Sequence, residues 1–171
     1  MRFNQDYLDF LNEHLRTIKV EVVEPEFADI SIGEPAFNAS PEIAASYEVA
    51  DKDFDIFRTR SSTPVEAWDL KRGSRVYAVK FGTPQKLNYV VDQATNLLEL
   101  LRNSAGVAQV PDFDSYCLWL GYRAQQRLDN IADSGSIIFK QKVDAWARKC
   151  NDLGVEPIIK ISRWIKPGFE S

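Results

Sequence analysis

The apolar positions along the chain change period several times, and each change marks a predicted element. Tyr7, Leu8, Leu11, Leu15 and Ile18 recur at three- and four-residue spacing, the stripe of a helix over about 5–18. Asn4 is placed to cap it, and Phe3 and Leu8 stand where a hydrophobic staple would. The run "KVEVVE" (19–24) then alternates as a strand does. Residues 24–52 hold Pro25, Pro35 and Pro41 and no long period. They read as loops, with a short strand at Ile30–Ile32 and a short helix after Ser40, where Ser40-Pro41 joins a capping residue to a proline at the first helical position.

Period two returns in "FDIFRTR" (54–60), "VEAWDL" (65–70) and "RVYAVKFG" (75–82), the last two separated by the turn signal "KRGS". Three short strands so close together predict a series of antiparallel hairpins. Beyond Gly82 and Pro84 the period becomes helical, with Leu87, Val90, Val91, Ala94, Leu97, Leu98 and Leu101 on one face. "SYCLWLGY" (115–122) is a nearly continuous apolar strand of the kind buried on both faces. Phe139, Val143, Trp146, Ala147 and Cys150 define a helix over about 138–153 that Gly154 is placed to end. "PIIKIS" (157–162) is the last strand. Strands joined by helices in the second half imply parallel pairing there. The pattern predicts an α/β fold with a mixed β-sheet flanked by helices. It forms one domain over 1–171, with a helix, a strand and an irregular part up to 52 and the sheet core from 53 onward.

Composition narrows the function classes. A hydrophobic fraction of 44% and a charged fraction of 27% are those of an ordinary globular domain. No apolar run approaches the roughly 20 residues that span a bilayer, and "MRFNQDYLDF" lacks the apolar core of a secretory signal. A cytoplasmic protein without membrane contact is the expectation. Cys117 and Cys150, the two cysteines, sit in apolar segments and read as buried reduced thiols. His14 is the single histidine, which disfavours zinc sites and histidine-based triads. Any metal would be hard and oxygen-ligated, magnesium or manganese; no other cofactor is indicated. Net charge is uneven. Residues 1–57 carry 13 acids against 4 bases, whereas Arg58–Lys86 carries 7 bases against 2 acids. Such asymmetry marks either a nucleic-acid surface or acidic and basic segments that face each other in the fold.

Asp69 lies near the end of one predicted strand, Lys80 stands in the next, and Gln93 lies on the following helix. A metal-dependent phosphodiesterase needs carboxylates to hold divalent ions against a phosphate, and a cation to orient water or steady developing charge. Asp69 and Lys80 suit those roles, with Gln93 positioning the substrate backbone. Arg58, Arg60, Lys71, Arg72, Arg75 and Lys86 are candidates for phosphate contacts. The pattern resembles that of PD-(D/E)xK nucleases, which place an Asp on one strand and an acid two residues before a Lys on the neighbouring one. Ala78 occupies that second position here. Glu66 is the alternative metal ligand beside Asp69, but residues three apart in a strand face opposite sides, so it would serve only through a bulge. Each residue also has a plainer reading: Lys80 as a snorkelling lysine, Asp69 as a turn acid, Gln93 as a polar residue on an outer helix face.

The segments "GEPAFNASPEI" (33–43), "WDLKRGSRVYAVKFGTPQKLNYVVDQATNLLELL" (68–101) and "DAWARKCNDLGVEPIIKIS" (144–162), in this order, resemble the C-terminal half of a sporadically distributed bacterial family of unknown function. Its members lie near restriction-modification and phage-defence genes. The matching pieces are Ser40–Glu42, Asp69-Leu70, Val79-Lys80, Gln93 and Leu153-Gly154. The resemblance implies a restriction-endonuclease-like core and a nucleic-acid-associated role in a defence or mobile-element system, with DNA as a partner. The missing acid at Ala78 leaves a second expectation open: a non-catalytic module or inhibitor that binds a protein of such a system.

Overall fold

The computed structural model describes residues 5–49, 69–103, 113–123 and 128–165. Its elements in chain order are α1 (Gln5–Arg16), β1 (Lys19–Glu21), a 3-10 turn (Pro25–Phe27), β2 (Asp29–Ile30), α2 (Glu34–Asn38), α3 (Pro41–Ser46) and β3 (Glu48–Val49). There follow β4 (Leu70–Arg72), β5 (Arg75–Gly82), α4 (Pro84–Asn103), β6 (Ser115–Tyr122), a second 3-10 turn (Ile131–Asp133), α5 (Ile137–Asp152) and β7 (Glu156–Trp164).

The strands form one mixed sheet in the order β1-β7-β6-β5-β4-β3, with β2 also paired to β7. β5, β6 and β7 run parallel, and β1 and β2 share the outer edge of β7 in the same direction. β4 is antiparallel to both neighbours. Gly73, at φ +61°, takes the first position of the two-residue β4–β5 turn, a backbone conformation that costs a side-chain-bearing residue energy.

Helices α4 and α5 make the two crossovers, β5 to β6 and β6 to β7. Successive crossovers of one hand in one direction put both helices on one face of the sheet. Leu11 and Leu15 of α1 join them in a cluster with Val76, Ala78, Leu118, Ile159 and Trp146. The opposite face carries a second cluster built on Tyr77, Val79, Phe81, Cys117, Trp119 and Ile158. Its cover is the irregular segment 23–47, which contributes Val23, Phe27, Ile30, Phe37, Ile43 and Tyr47. Every residue of β6 is buried, because both faces of this central strand are covered.

The prolines that interrupt the N-terminal third sit where helical turns begin. Pro25 opens the first 3-10 turn and Pro41 the helix α3, whose cap Ser40 accepts a hydrogen bond from the Ile43 N–H. Helix α2 and strand β3 go beyond the sequence expectation of loops there. The expected strand over 19–24 is only three residues long, since Val22 points into solvent at 84% exposure. The stripe of α1 is also narrower than its spacing implies. Tyr7 is exposed, and its hydroxyl accepts a hydrogen bond from Gln141. The expected strand at 54–60 lies outside the described residues.

One glycine of the central strand has a packing role. A Cβ on Gly121 would stand 2.3 Å from Cδ1 and 2.7 Å from Cγ of Phe81, a ring itself packed edge-on against Phe37 at 5.1 Å. Gly121→Ala is therefore expected to destabilise the protein by about 1–3 kcal/mol through overpacking, measured as a lowered denaturant midpoint with an unchanged slope.

Candidate functional site

The β4–β5 hairpin brings together the first two sequence candidates. The Asp69 N–H donates to the Tyr77 carbonyl at 2.8 Å, and the Asp69 carboxylate accepts from the Val79 N–H at 2.8 Å. The acid thus ties the start of β4 to the middle of β5. Lys80 follows Val76 and Ala78 at two-residue spacing and projects, half-buried, toward the helix-bearing face. Leu70, the next residue, packs in the opposite cluster, so alternation turns Asp69 toward the helix-bearing face as well. Burial raises the Tyr116 hydroxyl well above its ordinary value, and the nearby Cys150 and Asp69 raise it further. Tyr116 belongs to the helix-side cluster.

Gln93 is exposed on α4. Asp92 and Glu99 of the same helix pair with Lys142 and Lys149 of α5 at 2.7 Å, which fixes the flank facing α5. Gln93 lies about 100° round the helix from Asp92, on the flank away from α5 and on the hairpin side of the strand order. Ala78 is 5% exposed and packs in the helix-side cluster, so the position held by an acid in the nuclease pattern is filled by core.

The proposed phosphate-binding residues divide. Arg72 and Lys86 are exposed, and the Arg72 guanidinium lies 5.5 Å from the centre of the Tyr47 ring. Lys71 is half-buried on β4. Arg75 is engaged in an ion pair with Glu21. Arg58, Arg60 and Glu66 lie outside the described residues. Among the described residues no three Asp, Glu, His or Cys side chains converge as a metal site.

The charge asymmetry is resolved in part within the fold. Glu21, Glu24 and Asp29 of the acidic third pair with Arg75, Lys160 and Arg163. His14 pairs with Asp144 of α5, which also holds Arg148 at 3.0 Å.

Lys160 is the charged group that sequence reasoning missed. It stands in the middle of β7, is wholly buried, and donates to Glu24 Oε1 at 2.8 Å and to the Tyr47 hydroxyl at 2.6 Å. Its Nζ lies 4.0 Å from the centre of the Trp119 ring, 5.2 Å from Tyr47 and 5.8 Å from Tyr77. The Tyr47 hydroxyl also donates to Glu24 Oε1 at 3.1 Å. An isolated buried ammonium would cost several kcal/mol; a carboxylate, a hydroxyl and three ring faces offset that here. Burial acts to raise the Glu24 carboxyl, but the hydrogen bonds and charge of Lys160, helped by Tyr47, outweigh it and hold the group below its ordinary value. Burial, then the charge of Glu24, pushes Tyr47 up. Burial, then neighbouring Cys117 and Tyr47, pushes Tyr77 up to about 12. Both cysteines are free and buried, and burial raises both thiols, the state of inert structural cysteines.

The available signal for Lys160 was its place in "IIKIS". A lysine between isoleucines on a strand buried on both faces has no route for its ammonium to water, and so requires an internal acid. Among the described residues no helix is long and apolar enough to cross a membrane. No protein-family model, curated protein or solved structure matches this chain.

Proposed function

We propose that this chain is a nucleic-acid-binding domain with a restriction-endonuclease-like core and a reduced nuclease-like site, acting in a defence or mobile-element system. The observation that carries the reading is the β4–β5 hairpin. It brings the Asp69 carboxylate, just before β4, onto the Val79 N–H, next in sequence to Lys80 on β5, and is followed by a helix whose hairpin-side flank bears Gln93. In this reading Lys80 meets a backbone phosphate, Gln93 positions the strand, and Lys86 extends the contact as an exposed cation. Asp69 holds the register of the hairpin through the Val79 N–H. No hydrolytic step is assigned, because Ala78 supplies no second acid and the described residues do not complete a metal set.

The test is fluorescence anisotropy with duplex and single-stranded DNA across a salt series. The expected result is binding that weakens steeply with salt, and Lys86→Ala or Lys80→Ala variants whose salt slope falls by about 1. Absence of binding at low salt overturns the reading. Cleavage in manganese that disappears in Asp69→Ala and Lys80→Ala would restore full nuclease chemistry to the hairpin. A second reading, a non-catalytic protein-interaction module, is favoured by one observation: the ion pair of Arg75 with Glu21 neutralises part of the basic segment internally. Complex formation indifferent to salt would select it.

A further inference from the structure

On the face of the sheet opposite the hairpin's candidate groups, we infer that Glu24, Tyr47, Tyr77 and Trp119 form a cation-binding cage for a primary alkylammonium, occupied by the chain's own Lys160, and that this occupant holds the segment 23–47 shut over the sheet. The inference is independent of the nucleic-acid reading.

Three features distinguish the cage from an incidental buried salt bridge. First, the ammonium is enclosed rather than merely paired, with one carboxylate oxygen and the Tyr47 hydroxyl as acceptors and three aromatic rings whose centres lie at 4.0, 5.2 and 5.8 Å. Aromatic faces stabilise a cation through their quadrupole, and most strongly once water is excluded. Second, the walls are themselves braced. Tyr47 meets Tyr77 edge-on at 5.1 Å, and the Trp119 Nε1–H donates to the buried Ser162 hydroxyl at 2.9 Å. Third, the walls come from two sources. Trp119 and Tyr77 belong to adjacent strands β6 and β5, while Glu24 and Tyr47 bracket the covering segment at its two ends. The cation therefore bridges the sheet to both ends of its cover. Between the ends, β2 pairs with β7 and Phe27, Phe37 and Ile43 supply apolar contact, while the ammonium binds the two ends, Glu24 and Tyr47, at once.

The test removes the occupant and offers it back. Lys160→Ala, made in the full chain, deletes a side chain whose end is equivalent to propylammonium. Added propylammonium is expected to raise the melting temperature of the variant by about 3–6 °C at ten times its dissociation constant. Amide hydrogen exchange in 23–47 should slow at the same time. Neutral 1-propanol, of the same length, and propylammonium added to the wild-type chain should give no such shift. Equal stabilisation by the alcohol and the amine, or none by either, overturns the cage.

If Lys160→Ala does not fold, the wild-type chain decides the question. Lys160 should be acylated far more slowly than the exposed Lys19 and Lys86, and Glu24→Gln should speed its labelling severalfold without changing theirs. Labelling of Lys160 at the surface rate, or indifference to Glu24→Gln, overturns the proposal.

Discussion

Glu24→Ala is expected to lower the unfolding free energy by about 3 kcal/mol at neutral pH. Removing one partner of a buried pair leaves the other charge buried without compensation, a loss of about 3–5 kcal/mol. The lower end applies because Glu24 keeps 32% of its side chain in contact with solvent, while Lys160 has none. The variant strands the ammonium among Trp119, Tyr47 and Tyr77 with a single hydroxyl acceptor. It also removes the partner of the Tyr47 hydroxyl. Equilibrium denaturation with urea measures the loss. A change under about 0.5 kcal/mol, the size of an ordinary surface substitution, would show that the ammonium finds another acceptor.

The same pair gives the acid limb of the stability curve a defined sign. Glu24 has a folded pKa below its ordinary 4.5. A carboxyl lowered in the folded state contributes stability that is present above the unfolded value and lost as pH falls through the folded one. The gap between wild type and Glu24→Ala should therefore be constant near neutrality and narrow only below about pH 4.5. A gap that widens on acidification would contradict the lowered value.

Trp119→Ala carries the second large effect, about 4 kcal/mol, within the range for truncating a buried large aromatic side chain. Trp119 is fully buried on the central strand β6. It packs edge-on against Phe27 at 5.6 Å and Phe37 at 5.1 Å, presents its face to Lys160 and donates to Ser162. No neighbour replaces all four contacts. The informative control is a pair of phenylalanine variants. Trp119→Phe loses a made hydrogen bond to a buried hydroxyl and the best of the three cation-facing rings, and should cost clearly more than Trp146→Phe. Trp146 is as deeply buried, in the helix-side cluster, but its Nε1–H has no hydrogen-bond partner among the described residues. Phenylalanine there relieves an unsatisfied donor and offsets part of the lost packing. Equal costs for the two variants would show that ring volume alone decides.

The elements with long, clean periods were legible in advance. The strands at 75–82 and 115–122 have the limits that alternation and continuous apolarity predict, α4 encloses its stripe, and α5 follows its expected limits to within a residue. There the local pattern and the tertiary environment ask for the same thing. The cover over 23–47 was not legible as a layer. Its helices are five and six residues long, too short for a period, and its apolar residues are spaced to meet the sheet rather than one another. For the hairpin, residue order gives Asp69, Lys80 and the helix of Gln93 in succession, and the flank of Gln93 becomes clear only from the ion pairs that locate α5. Arg75 was assigned to phosphate contact because its charge was visible, whereas its partner Glu21 lies 54 residues earlier in the chain.

Taken alone, the order of apolar and polar residues determined the class of fold, the parallel crossovers at the C-terminal end and the inert burial of both cysteines. Only the tertiary structure decided that the proline-rich third seals the second face of the sheet, and that Lys160 serves as its internal counter-charge. The reason is range. Periodicity reports which residues of one element share a face, while a buried ammonium is made tolerable by groups 113 and 136 residues away, a distance over which no local pattern carries information.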